Sequence, residues 1–569
     1  MKNRLVAKIL YEVAELLELQ GVQFKPRAYR RAAQAVESSP FPVEDLAAQG
    51  RLEELPGVGA SIATKIEEIV ATGRLGYHEE LKEALPVDLY ALTRVEGVGP
   101  KTAKVLYETL GIRTLDDLER AAREGRIRQV PGLGVKTEER ILRGIAEAKG
   151  REHRELLGYV LPLARDLVRK LASSGLFQRL EPAGSLRRGK ETVGDLDILA
   201  VSDRPDQAVA AFLGLSEVEQ ILAQGPKKAS VRLSGGFQVD LRVVPREAFG
   251  AALQYFTGSK EHNIRLRERA VARGLKLSEY GLFTEHGQVV AQATEEEIYE
   301  ALGLVWVPPE LREDQGEIAA AERRALPQLL TLQEVRSDLH VHTRWSDGTM
   351  DLGSLVRQAE RRGLEYVAAT DHLRFAQAIP GLSLDDLRRQ VDEIQALKEG
   401  KPSVQVLAGV EANIGPDGAV DVPRELRLRL DWVVAGVHTH FRQGRAEMTR
   451  RLLRAVEEEA VDALAHPTGR LLGERAPYEA DWDEVFRLAA QCGTALEVNA
   501  NPQRLDLPPE LIRRALEFGV KLALGTDAHA PEHLDFLEYG VIAARRGWAE
   551  AAHVLNTLPL ERFLPARKR

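Results

Sequence analysis

Cysteine is nearly absent: Cys492 is the only one in 569 residues. That excludes a disulfide framework within the chain and fits a reducing compartment. Methionine is equally scarce, with three residues. Together with little asparagine and much arginine, glutamate and proline, this leans towards a thermophile. No run of 18 uncharged apolar residues occurs, and the N-terminus leads into an amphipathic pattern. Neither a signal peptide nor a membrane span is expected, and the expected location is cytoplasmic. A basic surplus is missing too. The net charge of −8 does not by itself point to nucleic acid. Basic clusters nevertheless stand at 25–31, Arg187-Arg188, Lys227-Lys228 and 265–273, and much of the acid lies in the C-terminal region. A polyanion can therefore bind the first half. The length exceeds the ~250–300 residues at which single cores stop growing, so several domains are expected.

What is present begins with a repeat. Leu55-Pro56-Gly57-Val58-Gly59, Val95-Glu96-Gly97-Val98-Gly99 and Val130-Pro131-Gly132-Leu133-Gly134 share one pattern, at spacings of 40 and 35 residues. The second glycine of each opens a helical stretch, whose free N–H groups and positive dipole end can hold a phosphate. Such modules resemble the helix-hairpin-helix, which grips the DNA backbone without reading bases. The alternative is three plain helical turns.

Around 176–245 the pattern turns strand-like. Asp195 and Asp197 are two apart in an apolar strand at 193–201, so both point to one face. Asp240 lies on a second such strand, at 237–244. Neighbouring carboxylates are costly unless a cation neutralises them. Three of them suit two Mg²⁺ ions, one activating a hydroxyl and one carrying a triphosphate. Gly184-Ser185-Leu186-Arg187-Arg188 precedes them and offers backbone N–H, hydroxyl and fixed cation to that triphosphate.

A different metal chemistry follows residue 336. His340, His342, Asp347, His372, Glu411, His438, His466, Asp527 and His529 fall at or near the ends of short apolar strands that alternate with helices. Alternation of this kind means βα units in a parallel sheet or barrel, with the active site at the C-terminal strand ends. Nine histidine and carboxylate ligands exceed one ion and suit a cluster of two or three, in Mn²⁺ or Zn²⁺. His440 fits either a substrate phosphate or the surface. His78, His153, His286, His533 and His553 read as ordinary surface or core residues.

The segment 184–197, with Asp195-Leu196-Asp197, resembles the nucleotidyltransferase motif of family X DNA polymerases, and Tyr255-Phe256-Thr257-Gly258-Ser259 resembles their nucleotide-sugar segment. The resemblance implies that Ser185, Arg188 and Gly194 receive the triphosphate and that Tyr255, Phe256 and Gly258 pack on the sugar. It further implies that Asn263 contacts the base, Arg267 the template strand, and Asp195, Asp197 and Asp240 the catalytic metals. Lys260 stands where DNA polymerase beta, a family member, has an acidic residue. Residues 55–66 resemble the lyase-domain hairpin of that enzyme, with Lys65 at its Schiff-base position and Tyr29 matching as well. Such a nucleophile needs a depressed pKa. Ser61 replaces another lysine of that motif, which leaves phosphate binding as the competing role for Lys65. The histidine-rich region resembles the polymerase and histidinol phosphatase (PHP) domain, a distorted βα barrel with a trinuclear metal site, and all nine ligand positions are filled.

The expected architecture is multidomain. A helical helix-hairpin-helix region comes first, then an α+β nucleotidyltransferase palm with an antiparallel sheet, then a distorted (β/α)7 TIM-like PHP barrel. The expected boundaries are 1–85 lyase-like, 86–150 fingers, 151–245 palm, 246–312 nucleotide-binding thumb, 313–335 linker and 336–569 PHP. The resemblance implies a monomer that fills short gaps in base excision repair on gapped or nicked duplex DNA with dNTPs. A 3′→5′ exonuclease, with abasic-site endonuclease or 3′-phosphatase activity, would occupy the barrel. Rival readings are another nucleotidyltransferase, such as an RNA-tailing enzyme, and a DNA-binding scaffold or phosphatase fusion with a barrel inert towards DNA.

Overall fold

The computed structural model describes residues 3–567 apart from 21, 23, 39–42, 56, 84–86, 94, 96, 152, 153, 374–380 and 421. Pro56 and Glu96 of the repeat, His153, and the expected boundary at 85–86 lie outside the described residues. The chain divides into two compact units, residues 1–155 with 205–241 and residues 156–204 with 242–569.

The first unit is mainly helical. In helix Asn3–Leu19 the residues Val6, Leu10 and Val13 are fully buried, because their spacing puts them on one face. Asn3 ties this helix to later chain: its amide donates to Val36 O at 3.1 Å and accepts from Val43 N at 2.7 Å. Helix Leu115–Arg123 starts on a Thr114/Asp117 capping box. Helix Pro205–Leu213 and the antiparallel strands Val218–Gly225 and Lys228–Leu233 also belong to this unit. The strand Val218–Gly225 shows no clean alternation; Ile221 and Leu222 are exposed.

In the second unit, strands Arg179–Pro182 and Asp195–Val201 pair antiparallel. The strand expected over 193–201 is interrupted at Gly194, leaving the two-residue strand Thr192–Val193 in front. Helix Glu295–Ala301 is capped by Thr294 and Glu297. Gly250 packs on Thr294 so closely that a Cβ there would lie 2.3 Å from its Cα. The charged stretch at 310–330 is α-helical only over Glu317–Glu322, after the 3-10 turn Pro309–Leu311, and Leu311, Glu317, Ala321 and Leu329 are buried in it.

Seven parallel strands follow: Ser337–Val341, Tyr366–Ala369, Gln405–Asn413, Trp432–Gly436, Ala463–Ala465, Ala495–Asn499 and Leu522–Gly525, neighbours in that order. Val341 bridges Ala528 in parallel, His342 N donates to Ala528 O at 2.8 Å and Asp527 N to His340 O at 2.9 Å, so first and last strands meet. The first five strands named are buried along almost their whole length, which explains their near-continuous apolar runs.

Candidate active sites

The repeated turns adopt one geometry three times. Gly57, Gly97 and Gly132 have φ of 81°, 92° and 85°, a left-handed conformation that glycine takes without steric cost. The backbone N–H groups of Val58, Val98 and Leu133 donate to the carbonyls of Leu55, Val95 and Val130. Gly59 and Gly99 are extended N-caps of helices Ala60–Thr72 and Pro100–Leu110, and Gly134 O accepts the first turn of Val135–Arg151. Lys65 is half-buried. Its Nζ donates to Ser61 O and Ser61 Oγ, both at 3.2 Å, and lies 5.7 Å from the Tyr77 ring centroid. Tyr29 is buried in the same helical core.

Asp195 and Asp197 alternate with buried Leu196 and Ile198, so the pair shares the exposed face of its strand as expected. Gly184 (φ 61°) comes so close that a Cβ there would lie 2.7 Å from Asp197 Oδ2. Asp240, on strand Gln238–Val243, alternates likewise with Val239 and Leu241. Its Oδ2 accepts from Gln238 Nε2 at 3.0 Å, while its Oδ1 is buried without a hydrogen bond among the described residues. A buried carboxylate oxygen in that state fits a cation.

Arg188 and Gly258, far apart in sequence, meet. Arg188 Nη1 donates to Thr257 O at 2.5 Å, and a Cβ on Gly258 would lie 3.1 Å from the same nitrogen. Glu313 Oε1 faces Arg188 Nε at 3.0 Å, Arg546 Nη1 at 3.3 Å and Lys190 Nζ at 3.9 Å. Burial would raise the Glu313 pKa, but these three cations outweigh it and keep it lowered. Arg187 instead joins a buried cluster with Glu295 and Arg312, whose charges hold Glu295 down at about 2 against the effect of burial. Tyr255 and Phe256 pack edge to face at 5.1 Å, and Arg242 stacks on Phe256. Asn263 is tied to Tyr255 O and Gln254 at 2.8 and 2.7 Å. Ser185 and Gly194 are half-buried, and Lys260 and Arg267 are exposed.

All nine ligand candidates of the barrel come together. Three groups have ligand atoms within 4.8 Å of one another: His342, Asp347, His372 and His529; His340, His342 and Asp527; His372, Glu411 and His438. His466 joins through Nε2, 2.9 Å from Glu411 Oε1. Glu411 and His340 lie within strands rather than after them. His466 and Asp527 have positive φ, 31° and 55°, a conformation that costs energy outside glycine and collects at functional sites.

The charges of the cluster are mutually dependent. Burial opposes protonation of His340, but Glu497, Glu411 and Asp527 outweigh it and hold the ring well above its ordinary value. Burial lowers His342, helped by His529 and His372. Burial works against His529 as well, yet Asp347 brings it up to about 9. Burial takes His438 down to about 4. Two observations fit bound cations. His340 Nε2 and His342 Nε2 face each other at 3.1 Å, and the buried Nδ1 of His342 makes no hydrogen bond among the described residues. Each Glu411 oxygen meets imidazole nitrogens, Oε2 at 2.8 Å from His372 and Oε1 at 3.0 Å from His438, as a bridging carboxylate would.

Sequence reasoning missed the supports of these ligands. Glu497 Oε1 lies 2.6 Å from His340 Nδ1, and its Oε2 accepts from His466 N. Asn499 Nδ2 donates to Asp527 Oδ2 at 3.2 Å, and Arg504 Nε lies 3.3 Å from the same oxygen. The alternation Glu497-Val498-Asn499 was the available signal, since period-two polar residues in a buried strand need partners. His440 is exposed at φ 58°, with Nδ1 3.0 Å from Thr439 Oγ1. His533, expected to be ordinary, is a ring-nitrogen acceptor for His529 N at 3.3 Å.

Four family models match the chain: a helix-hairpin-helix domain over residues 1–75, a SAM-like helix-hairpin-helix tandem over 89–147, the DNA polymerase beta thumb over 252–313 and the PHP domain over 338–501. The chain is 37% identical to the DNA polymerase/3′-5′ exonuclease PolX of Bacillus subtilis, across 99% of this chain and 98% of that protein. The chain belongs to the family X DNA polymerases with a PHP domain. The likeness to more distant members is partial. DNA polymerase lambda of Rattus norvegicus is 28% identical over 55% of this chain and 56% of its own length. DNA polymerase lambda of Arabidopsis thaliana is 29% identical over 54% and 62%. In this family X chain, Asp527 and His529 lie beyond the residues matched by the PHP model, yet they close the nine-residue cluster.

Proposed function

We propose that the chain is a DNA-directed DNA polymerase that fills short gaps in base excision repair and carries a 3′→5′ exonuclease in its barrel. The observation that carries this reading is the full-length likeness to an enzyme named for both activities. Both reactions depend on divalent metal. Mg²⁺ held by Asp195, Asp197 and Asp240 would lower the pKa of the primer 3′-hydroxyl and neutralise the departing pyrophosphate. Ser185, Gly194 and Arg188 take the triphosphate, which replaces Glu313 at the guanidinium. Tyr255, Phe256 and Gly258 seat the sugar, Asn263 reaches the base, Lys260 flanks it and Arg267 meets the template. The three glycine turns hold DNA by its phosphates, so binding is weakly sequence-specific and sensitive to salt. Lys65 would be the nucleophile of any lyase step, and its place on a hairpin helix suits a DNA phosphate equally.

In the barrel, three Mn²⁺ or Zn²⁺ ions held by the nine residues would supply an activated water and stabilise the leaving oxygen. Glu497 fixes the His340 ring, and Asn499 with Arg504 turns Asp527 so that Oδ1 faces the histidines. An abasic-site endonuclease or 3′-phosphatase is compatible with the same chemistry. The protein works as a monomer on gapped or nicked duplex DNA and dNTPs.

A one-nucleotide gapped duplex with Mg²⁺ or Mn²⁺ tests this reading, with and without the four dNTPs. Insertion of only the templated nucleotide, and 3′-end degradation when dNTPs are omitted, is the expected result. Untemplated addition would move the chain to another class of nucleotidyltransferase. Insertion without degradation would leave the barrel a scaffold towards DNA.

A further inference from the structure

Two arginines at the rim of the nine-residue cluster are not accounted for by ligand support alone. Phe441 lies three residues after His438, Arg475 nine after His466, and Arg504 five after the strand end Asn499. All three therefore belong to loops at the C-terminal ends of the fourth, fifth and sixth barrel strands, where barrel active sites lie. The loop carrying Arg475 is tightly held. Gly469 N donates to His466 O at 2.9 Å, and Arg475 Nε donates to Gly469 O at 2.7 Å, so two hydrogen bonds join the guanidinium to a ligand residue. Leu471 and Arg475 exchange backbone hydrogen bonds at 2.9 and 2.8 Å. Gly469 has φ 62°, and a Cβ there would lie 2.8 Å from the Tyr478 ring and 3.1 Å from that of Phe441. Arg475 stacks on Phe441 with its guanidinium carbon 3.8 Å from the ring centroid.

These contacts fix the guanidinium plane without using its terminal amino groups. Among the described residues the only hydrogen bond from the Arg475 side chain is that of Nε, and the Arg504 side chain makes none beyond its approach to Asp527. The loops that carry the two arginines are joined: Leu472 N donates to Gln503 O at 2.7 Å and Arg470 Nε to Arg504 O at 2.9 Å. Burial first, and then the like charge of Arg504, push Arg475 down to about 10. Arg504 meets Asp527 through Nε, and the terminal amino groups of both arginines make no hydrogen bond among the described residues, so a further anion that joined them would satisfy donors that are otherwise unused. The planar fork of arginine matches a phosphate with two parallel hydrogen bonds.

We propose that Arg475 and Arg504 form a phosphate-binding fork that grips the backbone of a DNA strand as its 3′ end enters the barrel centre. Phe441 acts as a positioning residue by presetting the plane of Arg475. This inference rests on the nuclease reading above and names the subsite through which that centre holds its substrate.

The test uses the full chain with Mn²⁺ and a single-stranded oligonucleotide fifteen nucleotides or so in length. Degradation from the 3′ end is followed for wild type, Arg475→Met and Arg475→Lys over a series of salt concentrations, with kcat and KM measured separately. Barrel metal content and melting temperature serve as fold controls. Loss of a charged hydrogen-bonding partner predicts a rise in KM by about ten- to a hundredfold for Arg475→Met. The plot of log(kcat/KM) against log salt becomes shallower by about 1 as one phosphate contact is lost. Arg475→Lys recovers the salt slope but reverses the rise in KM only in part. An unchanged KM and slope in Arg475→Met overturns the fork, as does a fall confined to kcat with loss of metal, which marks a purely structural role. If wild type synthesises but degrades no DNA, the nuclease reading itself fails and takes this subsite with it.

Discussion

His340 lies in the first barrel strand and His342 just after it, yet the chain treats their rings differently. His340 is braced by Glu497 at 2.6 Å, while the Nδ1 of His342 has no hydrogen-bond partner among the described residues and lies 3.7 Å from Asp347 Oδ1. A carboxylate behind a ligating imidazole fixes its tautomer and raises its basicity, and losing it typically costs about 10–100-fold in metal affinity or activity. Glu497→Gln keeps the shape and removes the charge. It is therefore expected to weaken metal binding by about 10–100-fold, read by titrating chelator against bound metal. Unchanged retention would show that Glu497 only fills space. At this scale the ligands were legible because histidines and carboxylates at strand ends are chemically unusual. Glu497 and Asn499 were not picked out, since a polar residue in a strand reads equally well as a solvated one until burial is known.

Elements decide how close the candidate ligands stand. Gly436 ends the fourth strand, where a Cβ would lie 2.6 Å from His466 Cε1, 3.0 Å from His438 Cε1 and 3.1 Å from Glu411 Oε1. Gly525 does the same at the seventh, with a Cβ 2.4 Å from that of His340. The strands thus leave a void that the candidate ligands fill, and one methyl group would push two of them aside. Displacement by about 1 Å can cost about a hundredfold in rate. Gly436→Ala is expected to lose bound metal and to cut 3′-end degradation by about that factor, measured by metal analysis and single-turnover cleavage. The strand pattern was readable from alternating apolar runs. The extension of the third strand as far as Asn413, the break at Gly194 and the buried, mostly non-helical stretch at 310–330 were not, because tertiary contacts set these limits.

On the scale of the whole molecule, the two proposed chemistries draw on different residues. Asp195, Asp197 and Asp240 carry one, and the nine barrel residues the other. Asp240→Ala is expected to abolish synthesis and leave 3′-end degradation. His342→Ala or His466→Ala is expected to do the reverse, on the same gapped duplex. One substitution that removed both activities would break the two-centre account. The half-buried Glu313, within 3.3 Å of both Arg188 and Arg546, shows that a residue proposed to bind the nucleotide and a barrel helix share a counter-ion in the second unit.

The sequence alone determined the repeat, the strand pair Asp195 and Asp197, the nine metal-type side chains and the family, because each is a local pattern of spacing and chemistry. Tertiary structure alone decided which side chain supports which ligand. It also decided that Arg188 rests on Glu313, and that the loops carrying Arg475 and Arg504 join at the barrel rim. Those pairings join residues dozens to hundreds of positions apart, and their energy comes from burial and mutual charge, which no local pattern encodes.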